Sequence, residues 1–534
     1  MLVIELNRDN YEYDVNALVK AFYPEEQVRV VTPERGGDRK EVLPERAAIQ
    51  IELKEDGADV RIEGHSFRWE AGKDAFDDGT FRGASDRDVP GGEMTREGSD
   101  GYALDSEVPG EVPDRSAPDG DAFHDKEAQK RYKDGFRRFL YRALSQATGK
   151  QLPWGNLTGI RPVKIACGML EEGRSREEIL RFYQEKHYVS MEKARLSVDI
   201  AGRERALLSG IHYEGGYSLY VGIPFCPTTC LYCSFTSYPI AGYRKVTEGY
   251  VDCLIREMEF VSECFKGKIL DSVYIGGGTP TTLEPVQLDR LIMSLKSLFD
   301  FSTVQEFTVE AGRADSITEE KLRCLYGHGV TRISVNPQTM KQETLDFIGR
   351  RASVEQVESA YALAREVGFD NINMDLILGL PGEQAADVQH TVDRVAELAP
   401  DSLTVHSLAV KRASRLNQWI RENGVSMLRN TDETMRIAAE GAERLGLVPY
   451  YLYRQKNMSG NFENVGYARP GKFGLYNILI MEEVQTIVAL GAGSITKRVY
   501  PDGRIERCEN VKEVAQYIER IDEMIERKRV LFTD

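Results

Sequence analysis

The sequence predicts an α/β protein centred on a partial, open (β/α)6 barrel. Six strand-like runs carry the prediction: SLYVGIP (218–224), SVYIGGG (272–278), EFTVEAG (306–312), RISVNPQ (332–338), NINMDLILGLP (371–381) and SLTVHSL (402–408). Helical segments such as 246–266 and 353–367 separate them. Repeated βα units require a parallel sheet covered by crossover helices, and six units fall short of the eight that close a full barrel.

The flanking segments follow in chain order. Residues 1–70 read as a small α/β domain, with strands at LVIEL and VRVVT, a helix at NALVKAFY, and a hairpin of AAIQIELKE and ADVRIEG turning at Asp-Gly. Residues 71–124 read as an acidic, Gly- and Asp-rich disordered insertion. Positions 71–120 hold 13 acids against 5 bases, half of the whole chain's net −16. Such a stretch buries too little apolar surface to offset its ordering entropy. Residues 125–209 read as helical, interrupted by the turn-rich QLPWGNLTGIRPVK with Trp154, Arg161 and Lys164. Residues 210–410 form the barrel, and 411–534 a C-terminal accessory domain placed to cover its mouth.

Composition narrows the function. The chain has 534 residues, 41% of them hydrophobic. It has no apolar run long enough to span a membrane and no basic leader before an apolar stretch. These features lead us to expect a cytoplasmic protein. A net charge of −16 argues against a nucleic-acid binder held by bulk electrostatics. Of eight cysteines, Cys226, Cys230 and Cys233 cluster in CPTTCLYCSF and the rest are scattered. That pattern is metal-binding or catalytic, not a disulfide framework. Cys167, Cys253, Cys264, Cys324 and Cys508 read as packed thiols.

Three clustered thiolates could hold zinc or an iron–sulfur cluster. Structural zinc wants four ligands, and no histidine or second Cys pair lies near. A [4Fe–4S] cluster normally takes four cysteines, so three leave one iron open to a further ligand. The second strand ends in GGGTP (276–280), where glycines permit close backbone approach and positive φ.

The CxxxCxxC loop after the first barrel strand, followed by GGGTP, resembles the radical S-adenosylmethionine (SAM) enzymes. YVGIPFCPTTCLYCSF, GGGTP, TVEA, RISVNPQ, IGR and MDLILGLPG, in that order, resemble the oxygen-independent coproporphyrinogen III oxidase/dehydrogenase family. PWGNLTGIRP and PYYLYRQKNMSGNFENVGYA are similar to its HemZ-type branch over most of the chain. The resemblance implies a radical SAM barrel, with Cys226, Cys230 and Cys233 as ligands of a [4Fe–4S] cluster. It implies SAM contacts at Tyr220, Tyr232, Gly277, Gly278, Thr279, Glu310, Gln338, Arg350 and Asp375. It also implies one-electron cleavage of SAM to methionine and a 5′-deoxyadenosyl radical, and decarboxylation of coproporphyrinogen III to protoporphyrinogen IX in haem biosynthesis. The cluster and SAM carry the radical chemistry, and no side chain is assigned as catalytic. The implied partners are a tetrapyrrole substrate and an electron donor such as flavodoxin or ferredoxin. Arg161, Lys164, Arg454 and Arg469 are candidates to meet the substrate's carboxylates.

The sequence departs from the family's patterns. Phe235 stands where the dehydrogenases have a further cysteine, and Gly222 where they have the histidine of Tyr-x-His. The family's haem chaperones share the Cys-x-Phe ending but carry a C-terminal His-Asn-x-x-Tyr-Trp. Here Glu463 replaces that histidine and Ala468 that tryptophan. Two alternatives therefore stay open: a haem chaperone-like tetrapyrrole-binding protein, and a radical SAM enzyme with another substrate, RNA included.

Overall fold

The structure is a computed structural model of the chain. It describes residues 1–24, 26–32, 48–72, 126–159, 161–233, 235–410, 414–423, 427–455 and 462–533. The insertion expected at 71–124 therefore lies, beyond Gly72, outside the described residues. The chain divides into two compact units: Met1–Asn16 with Val28–Lys150, and Ala17–Gln27 with Gln151–Asp534.

The first unit is built on a five-stranded sheet. Its strands are β1 (Leu2–Leu6), β2 (Val28–Val31), β3 (Ile49–Leu53), β4 (Gly57–Ile62) and β5 (His65–Glu70), in the order β2-β1-β3-β4-β5. β1 runs parallel to β2 and β3, and the rest is an antiparallel meander. The helix Lys126–Thr148 lays an apolar stripe on this sheet. Trp69 of β5 stacks on Phe139 at 6.2 Å. Gly135 permits the contact, because a Cβ there would meet the Trp69 ring at 2.6 Å.

The second unit begins with helices Val163–Glu171, Arg176–His187 and Met191–Leu208. Ser175 and Glu178 close a capping box at the start of the second, and Ser190 caps the third. Then come β6 (Gly216–Ile223), β7 (Phe225–Cys226), β8 (Tyr238–Pro239), β9 (Ile269–Gly277), β10 (Glu306–Gly312), β11 (Arg332–Val335), β12 (Ile372–Leu378) and β13 (Ser402–Ser407). β6 and β9–β13 are the six expected strands, and adjacent members of the six pair in parallel. The helices between them cover the sheet, so strand interiors such as Leu219, Val221, Val273 and Ile275 are fully buried.

The C-terminal segment does not form a sheet of its own. It supplies β14 (Val448–Tyr453), β15 (Asn464–Ala468), β16 (Thr486–Leu490), β17 (Ile495–Val499) and β18 (Ile505–Glu509) to the barrel sheet. The order is β14-β15-β13-β12-β11-β10-β9-β6-β16-β17-β18. β16 extends the parallel array beyond β6, while β14–β15 and β17–β18 finish the two edges with antiparallel strands. The edges do not meet, so the sheet is a partial barrel. Among the described residues no helix is long and apolar enough to cross a membrane.

Candidate functional site

Parallel strands aim their C-terminal ends, and the loops that follow, at one rim of the sheet. Here that rim encloses a cavity of about 330 Å³. The loop after β6 brings Cys226, Cys230, Tyr232 and Cys233. The end of β9 brings Gly277, Gly278 and Thr279, and β10 brings Glu310. Gln338 and Arg350 follow β11, and Asp375 lies on β12. All of these line the cavity. Tyr220 does not: it stacks behind the wall, 6.1 Å from Tyr274 and 6.0 Å from Tyr476. Arg161, Lys164, Arg454 and Arg469 do not line it either. Arg161 is occupied by the Met481 carbonyl at 2.6 Å and by Glu483 at 3.0 Å.

The cysteine loop is fixed from several sides. Leu231 N–H donates to Ile348 O at 2.9 Å, and Thr228 Oγ1 to Gly349 O at 2.9 Å. Arg313, ion-paired with Asp315 at 2.7 Å, donates to Thr228 O at 3.1 Å and reaches Cys230 Sγ at 3.5 Å. Thr279 Oγ1 lies 3.5 Å from Cys226 Sγ. Gly278 is packed against the same thiol: a Cβ there would stand 2.6 Å from Phe225 O and 3.0 Å from Cys226 Sγ. Gly277 has φ +113°, a conformation that favours glycine.

The donor set fits an iron–sulfur cluster with a polar co-ligand. Among the described residues, the groups whose ligating atoms converge within 4.8 Å, as around one ion, lie elsewhere. The triplet is spread more widely, as ligands to separate irons of one cluster must be. Burial pushes the Cys226 thiol up to about 11 and raises Cys233 as well. The positive charge of iron is what converts such thiols to thiolates. Two buried atoms of the cavity wall, Arg350 Nε and Ser334 Oγ, have no hydrogen-bond partner in the protein. Buried polar atoms are normally satisfied, so these two suit a polar ligand.

Facing the triplet is a carboxylate wall. Glu310 accepts a hydrogen bond from Tyr274 O–H. Burial pushes the Glu310 carboxyl up to about 7; Tyr274 pulls it down and Asp375 pushes it further up. Burial also pushes Asp375 up, but His406, Asn373 and Thr404 outweigh it and hold that carboxyl below its usual value. Asn373 Nδ2 donates to Asp375 at 2.7 Å. His406 Nε2 stands 3.8 Å from Asp375, and its Nδ1 lies 3.3 Å from Tyr453 O–H. Gln338 sits at φ +69°, unusual for a residue with a Cβ. Its N–H donates to Asp375 O and its carbonyl accepts from Ile377 N–H, both at 2.9 Å. Strain of this kind collects at ligand sites.

Sequence reasoning missed Tyr274, Arg313, Ser334, Asn336 and His406, which also line the cavity. No local signal marks them. Each depends on which face of a strand it occupies or on a partner far along the chain.

Comparison with known proteins agrees with this geometry. The family model of the Radical SAM superfamily matches residues 220–395. The chain is 40% identical over 410 residues to the oxygen-independent coproporphyrinogen-III oxidase-like protein HemZ of Bacillus subtilis (strain 168), covering 76% of this chain and 82% of the relative. It is 36% identical over 195 residues to the heme chaperone HemW of the same organism, covering 36% and 51% of the two chains. It is 33% identical over 208 residues to the oxygen-independent coproporphyrinogen III oxidase of Escherichia coli (strain K12), covering 39% and 45%.

Proposed function

Since the chain belongs to the radical SAM family of oxygen-independent coproporphyrinogen III oxidase-like proteins, we propose that it converts coproporphyrinogen III to protoporphyrinogen IX without oxygen. It is a radical SAM enzyme whose cofactors are a [4Fe–4S] cluster and SAM. The observation that carries the substrate assignment is the 40% identity to the HemZ relative across 82% of that protein.

In this reading Cys226, Cys230 and Cys233 hold the cluster. Bound and reduced there, the cluster would supply the one-electron chemistry that turns SAM into a source of a hydrogen-abstracting radical. The chain's own residues bind and orient. Arg350, whose Nε has no partner in the protein, would meet the carboxylate of SAM, and the Gly277–Thr279 turn would receive the methionine end. Glu310 accepts hydrogen bonds from the ribose hydroxyls, with Gln338 and Asp375 alongside. Ile480, Met481 and Tyr453 in the cavity wall exclude water. From each of two propionates one hydrogen atom and one CO2 would leave, the remaining electron would pass to an external one-electron carrier, and a vinyl group would remain. An external donor of flavodoxin or ferredoxin type would supply the reducing electron.

The HemW relative raises a second reading, haem carriage. The geometry at Glu463 argues against it. Glu463 replaces the chaperone histidine and is 1% exposed, held by Lys193 at 2.8 Å and Trp154 Nε1 at 2.7 Å. Ala468, in place of the tryptophan, is buried in β15 opposite Ser402. Neither position offers a ligand to haem iron.

The test is an anaerobic incubation of cluster-loaded protein with reductant, SAM and coproporphyrinogen III, with porphyrins resolved by chromatography. Protoporphyrinogen is expected. Deoxyadenosine without any vinyl product removes the substrate assignment and leaves the SAM chemistry standing. A parallel haem titration is expected to give no Soret shift, and a saturable shift would favour the second reading.

A further inference from the structure

Outside the cavity, the structure brings three chemically different ligands together on the covering layer of the barrel. Asp289 lies in the helix Pro285–Leu298, which follows β9. Cys324 lies in the helix Glu319–Gly327, which follows β10, and His328 is the residue that ends it. Ligating atoms of all three lie within 4.8 Å of one another. The sequence reading assigned Cys324 only to packing.

The local geometry explains the convergence. Cys324 and His328 are four residues apart on a helix, a spacing that puts both side chains on one face. The Cys324 thiol lies 3.9 Å from Pro285 O, so that face meets the first turn of the neighbouring helix. Asp289 is one turn further along, and its Oδ1 is 2.7 Å from His328 Nε2. Cys324 is half-buried. The His328 side chain is 18% exposed and that of Asp289 52%, so the group opens to solvent on the Asp289 side.

We infer that Asp289, Cys324 and His328 form a zinc-binding site that ties together the helices following β9 and β10. The ligand chemistry selects the ion. A thiolate is a poor ligand for magnesium or calcium, whereas thiolate, imidazole and carboxylate in one tetrahedral set suit zinc. Three protein ligands leave the fourth position to water, on the open side. Zinc–ligand bonds of about 2.0–2.2 Å separate tetrahedral N and O atoms by about 3.3 Å. The half-exposed Asp289 therefore has only to retract slightly as the ion enters. The bridge joins the helices that follow Thr279 and Arg313, each of which reaches a cysteine of the triplet. It would stabilise that part of the barrel without touching the reacting groups.

The experiment uses cluster-loaded protein, so that iron occupies the Cys226–Cys230–Cys233 triplet, dialysed against zinc chloride with both metals counted. The expected result is one zinc per chain beyond the iron. Cys324→Ser and Asp289→Asn should each weaken zinc binding at least tenfold, with iron content and deoxyadenosine formation unchanged. Zinc should raise the melting temperature of the parent protein but not of Cys324→Ser. In protein carrying alanine at all three cluster positions, cobalt should give a thiolate charge-transfer band that disappears with Cys324→Ser. Zinc bound equally by the parent and both variants, zinc that displaces iron, or no zinc bound would overturn the site.

Discussion

Lys193 and Glu463 form an ion pair of 2.8 Å sealed from solvent, with side chains 7% and 1% exposed. It joins the helix Met191–Leu208 to the residue just before β15, and Trp154 completes it by donating to the other Glu463 oxygen. Removing Lys193 leaves the buried Glu463 carboxylate without its ion-pair partner, at a cost of about 3–5 kcal/mol, whereas removing Glu463 costs less because Lys193 keeps Glu192 at 3.0 Å. Glu463→Ala and Lys193→Met should each lower the urea-unfolding midpoint accordingly. The double variant Lys193→Met/Glu463→Gln should recover most of the loss. Single losses below about 1 kcal/mol would show that the pair is not closed to water.

Gly278 is the point where sterics reach the cluster. The Cβ of Gly278→Ala would press on Phe225 O and on Cys226 Sγ. Overpacking of this kind costs about 1–3 kcal/mol and is relieved by moving the neighbour. Here the neighbour is Cys226, a proposed cluster ligand. Reconstituted Gly278→Ala should hold less iron than the parent while its fold, read by far-ultraviolet circular dichroism, persists. Full iron content would contradict the close approach.

If Glu310 holds the SAM ribose as proposed, its carboxyl, pushed up to about 7 by burial, should give SAM binding a pH dependence. Ribose hydroxyls donate to the ionised form, which is populated above that value. Affinity should therefore rise as pH increases through about 7, by up to about tenfold per unit below it, and then level off. Calorimetric titration of SAM into anaerobic protein measures this. Glu310→Gln should bind more weakly and with a flat profile. A flat profile in the parent would mean that Glu310 does not hold the ribose.

Phe235 is 76% exposed at the cavity, two residues beyond the last cluster cysteine. If the cavity takes the proposed substrate, the exposed Phe235 ring is a contact for it. Phe235→Ala should keep its iron and its deoxyadenosine formation, and should raise KM for coproporphyrinogen. Loss of iron on this substitution would move Phe235 into the cluster's support.

The six barrel strands were legible because strands buried on both faces read as apolar runs ended by glycine or polar residues, as at Leu219–Ile223 and Val273–Gly277. β16 was not, because its place beside β6 is a long-range pairing with no local mark. The same division runs through the site. Cysteine spacing and the glycine turn are local patterns. Arg313 becomes a neighbour of Cys230 only across 83 residues of chain. Tyr220 shows the converse: the motif placed it at the site, but its ring packs against the stacked pair Tyr274 and Tyr476, and Tyr274 is the one that lines the cavity.

The central claim is that hydrogen leaves a substrate propionate for the radical formed at this cavity. A turnover of cluster-loaded protein with coproporphyrinogen III deuterated on the propionate side chains tests it most directly, with deoxyadenosine and porphyrin read by mass spectrometry. Deuterium is expected in the deoxyadenosine, in step with vinyl-bearing product. Deoxyadenosine free of deuterium, with the propionates intact, would contradict it.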